Sequence, residues 1–254
     1  MSIRQLIEQQ AQGRPIAFVF DLDETIIDTS PFHRQLGINA AILLEQNSPH
    51  TIFECNDLVK KYINETNYVR EAFRDNHGID FKTTLNAVYN PKTLNRNAIP
   101  SRADLLSVLT YADFPTYIFT NAPSIFSHMN VHEAGLSSAF NRVVSTDNID
   151  YFKKDNIEAY IKFEQLVGIS SKTHCIYFVD NSLENLRHAN EAGWNCIHTS
   201  EFTDAPELYP DYVRFSIDNL VEFVNALNGE TTHDQDTTRS CQSSPRPAGI
   251  SSRI

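Results

Sequence analysis

The sequence predicts an α/β fold, a parallel sheet with helices on both faces, interrupted early by a helical insertion. Three observations carry this. Continuous apolar runs at Ile16–Phe20, Thr116–Thr120 and residues 173–179, with weaker ones at 142–144 and 195–198, have the character of strands buried on both faces. Helical patterns at 125–134, 157–166 and 183–192 alternate with them, the rhythm of a parallel sheet. Finally, residues 21–115 separate the first two strong strands, far more chain than the dozen or so residues a crossover requires.

Taken in order, residues 1–13 read as a short helix with Ile3, Leu6 and Ile7 on one face, and contain no apolar stretch long enough for a signal peptide. The first strand follows Pro15. Within the insertion, residues 31–97, helical patterns at 40–45 and 58–73 and few strand-like runs predict a small α-helical domain over the carboxyl edge of the sheet. The core is then residues 1–30 and 98–230. Residues 231–254 turn to Thr, Ser, Asp, Arg and Pro with almost no apolar side chains, and predict a disordered polar tail in which Ser243 and Ser244 before Pro245 read as solvated linker.

Composition narrows the function classes. A chain of 254 residues, 41% hydrophobic and 21% charged, has the makeup of a soluble globular protein large enough for an enzyme, and no apolar run approaches the roughly 20 residues that span a bilayer. A formal net charge of −11 disfavours a polymeric nucleic-acid partner, which draws on clustered Lys and Arg. A small phosphorylated substrate is compatible with it, since a metal ion and one or two local lysines hold such charge. Cys55, Cys175, Cys196 and Cys241 are scattered without C-x-x-C spacing, so reduced thiols and a cytoplasmic location are expected.

The polar residues at the strand ends carry the chemistry. Asp21 and Asp23 follow the first strand at the sheet's carboxyl edge, where open α/β folds bind ligands. With Leu22 between them their side chains diverge, so one can attack phosphorus while the other handles the leaving group's proton; taken alone, the pair also suits a turn cap. Thr120 and Asn121 end the second strand, and offer phosphoryl oxygens a hydroxyl and an amide without negative charge, although either residue is also a common helix N-cap. Lys153 and Lys154 precede the helix from residue 157; a lysine here would neutralise the nucleophile, while an exposed pair is usually only solvated surface. Asp180 and Asn181, followed by Glu184 and Asn185, end a further strand, where Asp180 can complete an oxygen-rich Mg²⁺ site with Asp21. Each alone admits a structural explanation, and their order along the chain does not favour one.

In that order these residues resemble the haloacid dehalogenase superfamily of phosphohydrolases, over roughly residues 16–200. The motifs are Asp21-Leu-Asp23-Glu-Thr25, Thr120, Lys154 in Lys154-Asp-Asn-Ile-Glu-Ala-Tyr160, and Asp180-Asn181. The resemblance implies a Rossmann-like core and a Mg²⁺-dependent phosphatase. Asp21 would form an aspartyl-phosphate, Asp23 would protonate the leaving oxygen and then activate water, and Thr120 and Asn121 would bind the phosphoryl group. Lys154 would orient Asp21 and contact that phosphoryl group, with Mg²⁺ held by Asp21, the Asp23 carbonyl, Asp180 and Asn181. Asp23 separates the chain from the dehalogenase branch, which lacks that acid. Relatives mostly have two acids where Asp180-Asn181 stands, so metal binding is expected to be weaker here.

The insertion looks like the family's helical C1-type cap. Asn76-His-Gly-Ile79, Thr120-Asn-Ala122 and Phe178-Val-Asp-Asn-Ser182 resemble the pyrimidine 5′-nucleotidase branch, although a single aromatic, Phe73, approaches the His-Gly step. The expected substrate is a small phosphomonoester, with a nucleoside 5′-monophosphate one candidate. A phosphotransferase or mutase on the same site, and a weakly catalytic regulatory protein, remain alternatives. His128 and His132 stand four apart on a predicted helix without a third ligand, Phe32, His33 and Arg34 suit either the substrate entrance or plain packing, and Trp194 reads as core.

Overall fold

In a computed structural model the structure describes residues 1–66, 69–229 and 238–240. Helix α1 (Ile3–Ala11) opens with a capping box between Ser2 and Gln5. Strand β1 (Ile16–Phe20) follows, and its neighbours are β2 (Thr116–Thr120) on one side and β4 (Cys175–Asp180) on the other, both parallel to it. With β3 (Arg142–Ser145), β5 (Asn195–Thr199), β6 (Val213–Ile217) and β7 (Thr238–Ser240), the sheet order is β3-β2-β1-β4-β5-β6-β7. The first six strands are parallel and β7 is antiparallel to β6. The order reverses at β1, so the carboxyl ends of β1, β2 and β4 surround a topological switch point, where such sheets form their ligand crevice.

Alternation along β1 builds both sides of the core. Phe18 and Phe20 enter one apolar cluster with Ile118 and Val179, while Ala17 and Val19 enter another with Phe119, Phe163, Phe178 and Trp194. Trp194 thus sits in the core as expected. Helices α6 (Ala103–Leu109), α7 (Ser124–Glu133), α8 (Ile157–Val167), α9 (Leu183–Glu191) and α10 (Leu220–Asn228) follow the intervening chain and complete the layers. Two of them start at side-chain caps beside the site, α8 at Asn156 and α9 at Ser182.

Between β1 and α6 lie four α-helices and no strand among the described residues: α2 (Ser30–Gln46), α3 (Ile52–Thr66), α4 (Arg70–His77) and α5 (Phe81–Val88). They share an apolar cluster of their own, including Leu44, Cys55, Val59, Tyr62, Phe73 and Ile79. Leu36 and Tyr89 pack against both this cluster and the main core. The single helical pattern expected over 58–73 is in fact two helices, because apolar spacing continues across a break that periodicity alone does not show.

Two strands were not expected. Strand β6 has the alternation of a strand covered on one side, with Val213, Phe215 and Ile217 buried and Arg214 exposed. Strand β7 falls in the segment expected to be a disordered tail; it pairs with β6, whose edge would otherwise present unpaired backbone groups. The rest of that expectation, residues 231–237 and 241–254, lies outside the described residues.

Candidate active site

The chain leaves β1 through a tight reversal. The Asp21 amide donates to the Val179 carbonyl at 2.8 Å, and the Leu22 carbonyl accepts from the amides of Ile26 and Ile27 at 3.0 and 3.1 Å. Glu24 takes a left-handed conformation, φ +56°, unusual for a residue with a side chain. Leu22 is fully buried beneath this turn, which leaves Asp21 and Asp23 facing a cavity of about 660 Å³ between the sheet edge and the helices of the insertion. That volume is in the range of small-molecule sites. Thr120, Asn121, Lys154 and Asn181 also line it, so six of the seven expected site residues meet there.

Lys154 is the hub. Its ammonium is 1% exposed and lies 2.5 Å from Asp21 Oδ1 and 2.7 Å from Asp180 Oδ2. Its amide donates to Asn121 Oδ1 at 2.9 Å, and its carbonyl accepts from the Tyr160 hydroxyl, which also donates to the Asn185 carbonyl. The choice of Lys154 over Lys153 agrees with this geometry: Lys153 Nζ instead reaches Glu71 and Asp155. Thr120 Oγ1 accepts from the Ala122 amide and donates to Asp23 Oδ2 at 3.4 Å.

Asp180 departs from its expected place. It does not line the cavity: Oδ2 is taken by Lys154, Oδ1 by the Ser182 amide at 2.8 Å, and both oxygens by Asn185 Nδ2. Its carboxylate orients the lysine, and Asn181 is the residue of that pair that faces the cavity. Asn181 is held from two sides. Its amide donates to Thr25 Oγ1 at 3.3 Å, and its carbonyl accepts from His198 Nε2 at 3.0 Å. Asn185, Tyr160 and His198 were not singled out for these roles, although Tyr160 lies in the Lys154 motif and Asn185 in the stretch after Asp180.

Burial raises Asp21 well above the usual carboxylate range; Lys154 opposes this, and neighbouring Asp180 and Asp23 add to it. Asp23 is raised to about 6, chiefly by burial, with Lys154 opposing and Glu24 reinforcing. Burial alone would lower Lys154, but Asp180 and Asp21 outweigh it and its ammonium is held protonated. Two carboxylates therefore share one lysine with a third close by, and the buried Oδ1 of Asp23 has no hydrogen-bond partner.

Among the described residues no three His, Cys, Asp or Glu side chains form a metal cage, and His128 and His132 join no such group. The oxygen atoms of Asp21, Asp23 and Asn181, beside an excess of negative charge, nonetheless suit a hard divalent ion that keeps several waters and needs only one or two carboxylates. No described helix is long and apolar enough to cross a membrane.

Comparison with known proteins accords with this arrangement. A family model for haloacid dehalogenase-like hydrolases matches residues 17–193. Similar solved structures include a HAD phosphatase from Thermococcus onnurineus, 16% identical with a TM-score of 0.59, covering 84% of this chain and 98% of that one. Another is the L-2-haloacid dehalogenase of Xanthobacter autotrophicus with chloropropionic acid covalently bound, 17% identical with a TM-score of 0.53, covering 85% and 99%. A HAD-superfamily hydrolase from Geobacter sulfurreducens is 17% identical with a TM-score of 0.51, covering 85% and 98%. No curated protein matches the sequence.

Proposed function

The chain belongs to the haloacid dehalogenase-like hydrolase family, and from that premise we propose that it is a Mg²⁺-dependent phosphatase that hydrolyses a small phosphomonoester through an aspartyl-phosphate on Asp21. The observation that carries the reading is the pairing of functions at one sheet edge. Asp21 is held by a buried lysine, and Asp23, two residues on, lines the same cavity and carries an unpartnered oxygen.

Lys154 fixes the Asp21 carboxylate and, positively charged, offsets the charge of an approaching phosphate. Asp21 attacks phosphorus and the bond to the leaving oxygen breaks. Asp23, raised to about 6, supplies a proton to that oxygen and then takes one from the water that cleaves the acyl phosphate. Thr120 and Asn121 flank the phosphoryl position. Asp21, the Asp23 carbonyl and Asn181 would hold Mg²⁺, which when bound neutralises phosphoryl oxygens. A halide leaves as an anion and needs no proton, so Asp23 favours phosphate chemistry over dehalogenation.

The cavity wall contributed by Leu36, Leu85, Val88, Tyr89 and Phe126 is apolar, which suits a leaving group with a flat or apolar face, a nucleoside among them. A panel of nucleoside 5′-monophosphates, sugar phosphates and phosphoglycolate, assayed for phosphate release, tests the reading. Release should require Mg²⁺ and vanish in Asp21→Asn, and acid quenching should trap phosphate on Asp21. Turnover without Mg²⁺, or halide release from 2-chloropropionate in its place, would overturn it.

A further inference from the structure

We propose that Arg70 is a positioning residue that couples the seating of the helical insertion to the placement of Lys154. Arg70 opens α4 and is 5% exposed. Its Nε donates to Glu71 Oε1 at 2.8 Å, within the insertion. The other two nitrogens cross to the core: Nη1 donates to Thr146 Oγ1 at 3.3 Å and Nη2 to the Tyr151 carbonyl at 3.0 Å. The guanidinium also lies over the Phe81 ring of α5, 4.9 Å from its centroid. Glu71 extends the contact, since its Oε1 lies 3.4 Å from Lys153 Nζ.

Both core acceptors belong to the segment that joins β3 to α8 and carries Lys154. Thr146 donates its amide to the Ala122 carbonyl and its hydroxyl to the Phe152 carbonyl, and accepts from the Tyr151 amide through its own carbonyl. Three residues on, the Lys154 amide is held by Asn121. A path of hydrogen bonds joined by short stretches of chain therefore runs from Arg70 through Thr146 and Tyr151 to the lysine and to the turn after β2. Within it, Asp150 and Tyr151 are consecutive non-glycine residues in the left-handed region, φ +56° and +63°. Such a conformation persists where surrounding contacts over-determine it, and the hydrogen bond from Arg70 Nη2 to the Tyr151 carbonyl is one of those contacts.

It follows that when the insertion is seated the lysine segment is held in its strained form with Lys154 on Asp21, and when Arg70 is withdrawn that segment relaxes. Only the activity arm of the test rests on the phosphatase reading. Full-length Arg70→Met and Arg70→Lys are compared with wild type by hydrogen–deuterium exchange of α4 and residues 146–154, and by p-nitrophenyl phosphate turnover with Mg²⁺. Arg70→Met should speed exchange in both segments and lower kcat about a hundredfold with little change in KM, the cost of a misplaced catalytic group. Arg70→Lys, which keeps the charge and loses the fork, should recover part of both. Thr146→Val, which removes one acceptor and retains Arg70, should reproduce the exchange effect if Arg70→Met does not fold. Faster exchange confined to α4, or unchanged kcat in a protein whose wild type turns over, would overturn the coupling. If wild type does not turn over, the phosphatase reading fails and the exchange data alone decide this one.

Discussion

The ammonium of Lys154 lies 2.5 Å from Asp21 Oδ1, fully enclosed, with Asp180 closing its other side at 2.7 Å. Two buried carboxylates are thus held by one cation, and removal of that cation leaves both without compensation. Lys154→Met should cost about 3 kcal/mol at neutral pH, the penalty of breaking a buried ion pair. Asp21, already raised by burial, loses the lysine that opposes the rise, so its native state keeps a proton that the unfolded chain gives up. The deficit should therefore shrink as pH falls. Urea titrations of the variant at acid and neutral pH measure it, and a deficit independent of pH would refute the assignment.

Asp23 allows a second pH test, on the metal-free protein. Its native pKa of about 6 stands above the ordinary value of 3.8, so native protein binds an extra proton between the two. Stability is then fully present below the lower value and is lost as pH rises to about 6. Asp23 is half-buried beside an open cavity, so the loss should be about 1 kcal/mol rather than the full equivalent of the shift. In chelator, Asp23→Asn should be more stable than wild type at neutral pH and equal to it near the lower limit. Parallel stability curves for the two proteins would exclude the effect.

Asn181 sets the metal prediction. It faces the cavity where Asp180 does not, and contributes an amide in place of a second acid. Asn181→Asp should tighten Mg²⁺ about tenfold by calorimetry, because a carboxylate is the stronger ligand for a hard ion. In the metal-free state the same change adds a negative charge close to Asp21 and should lower stability. Unchanged affinity would remove Asn181 from the metal site.

The strands that hold the site were legible because β1, β2 and β4 are buried on both faces and read as unbroken apolar runs ending in polar residues. The weaker alternation of β6 was overlooked since no such polar signal follows it. Asp180 was legible as a strand-end acid, but its turn towards Lys154 depends on the Ser182 amide and Asn185, and spacing carries no such information. Arg70 left no local trace at all: its core partners are 76 and 81 residues away, and only the fold brings them together.

Arg102 shows how far from the chemistry the reversal after β1 is secured. Buried at 5% exposure, it donates through Nη1 to the Ile26 carbonyl at 2.5 Å and through Nη2 to Glu201 at 2.9 Å. Glu201 also caps α10 by accepting from the Leu220 amide at 2.7 Å. One guanidinium therefore fastens the turn that presents Asp21 and Asp23 to the far half of the sheet. Arg102→Met should leave the Ile26 carbonyl unpaired and the half-buried Glu201 without its cation, a loss of about 2 kcal/mol. The double variant Arg102→Met with Glu201→Gln should recover part of that loss, because the stranded charge is then gone. A double-mutant cycle by chemical denaturation reads the coupling, and strictly additive losses would show that the two side chains act separately.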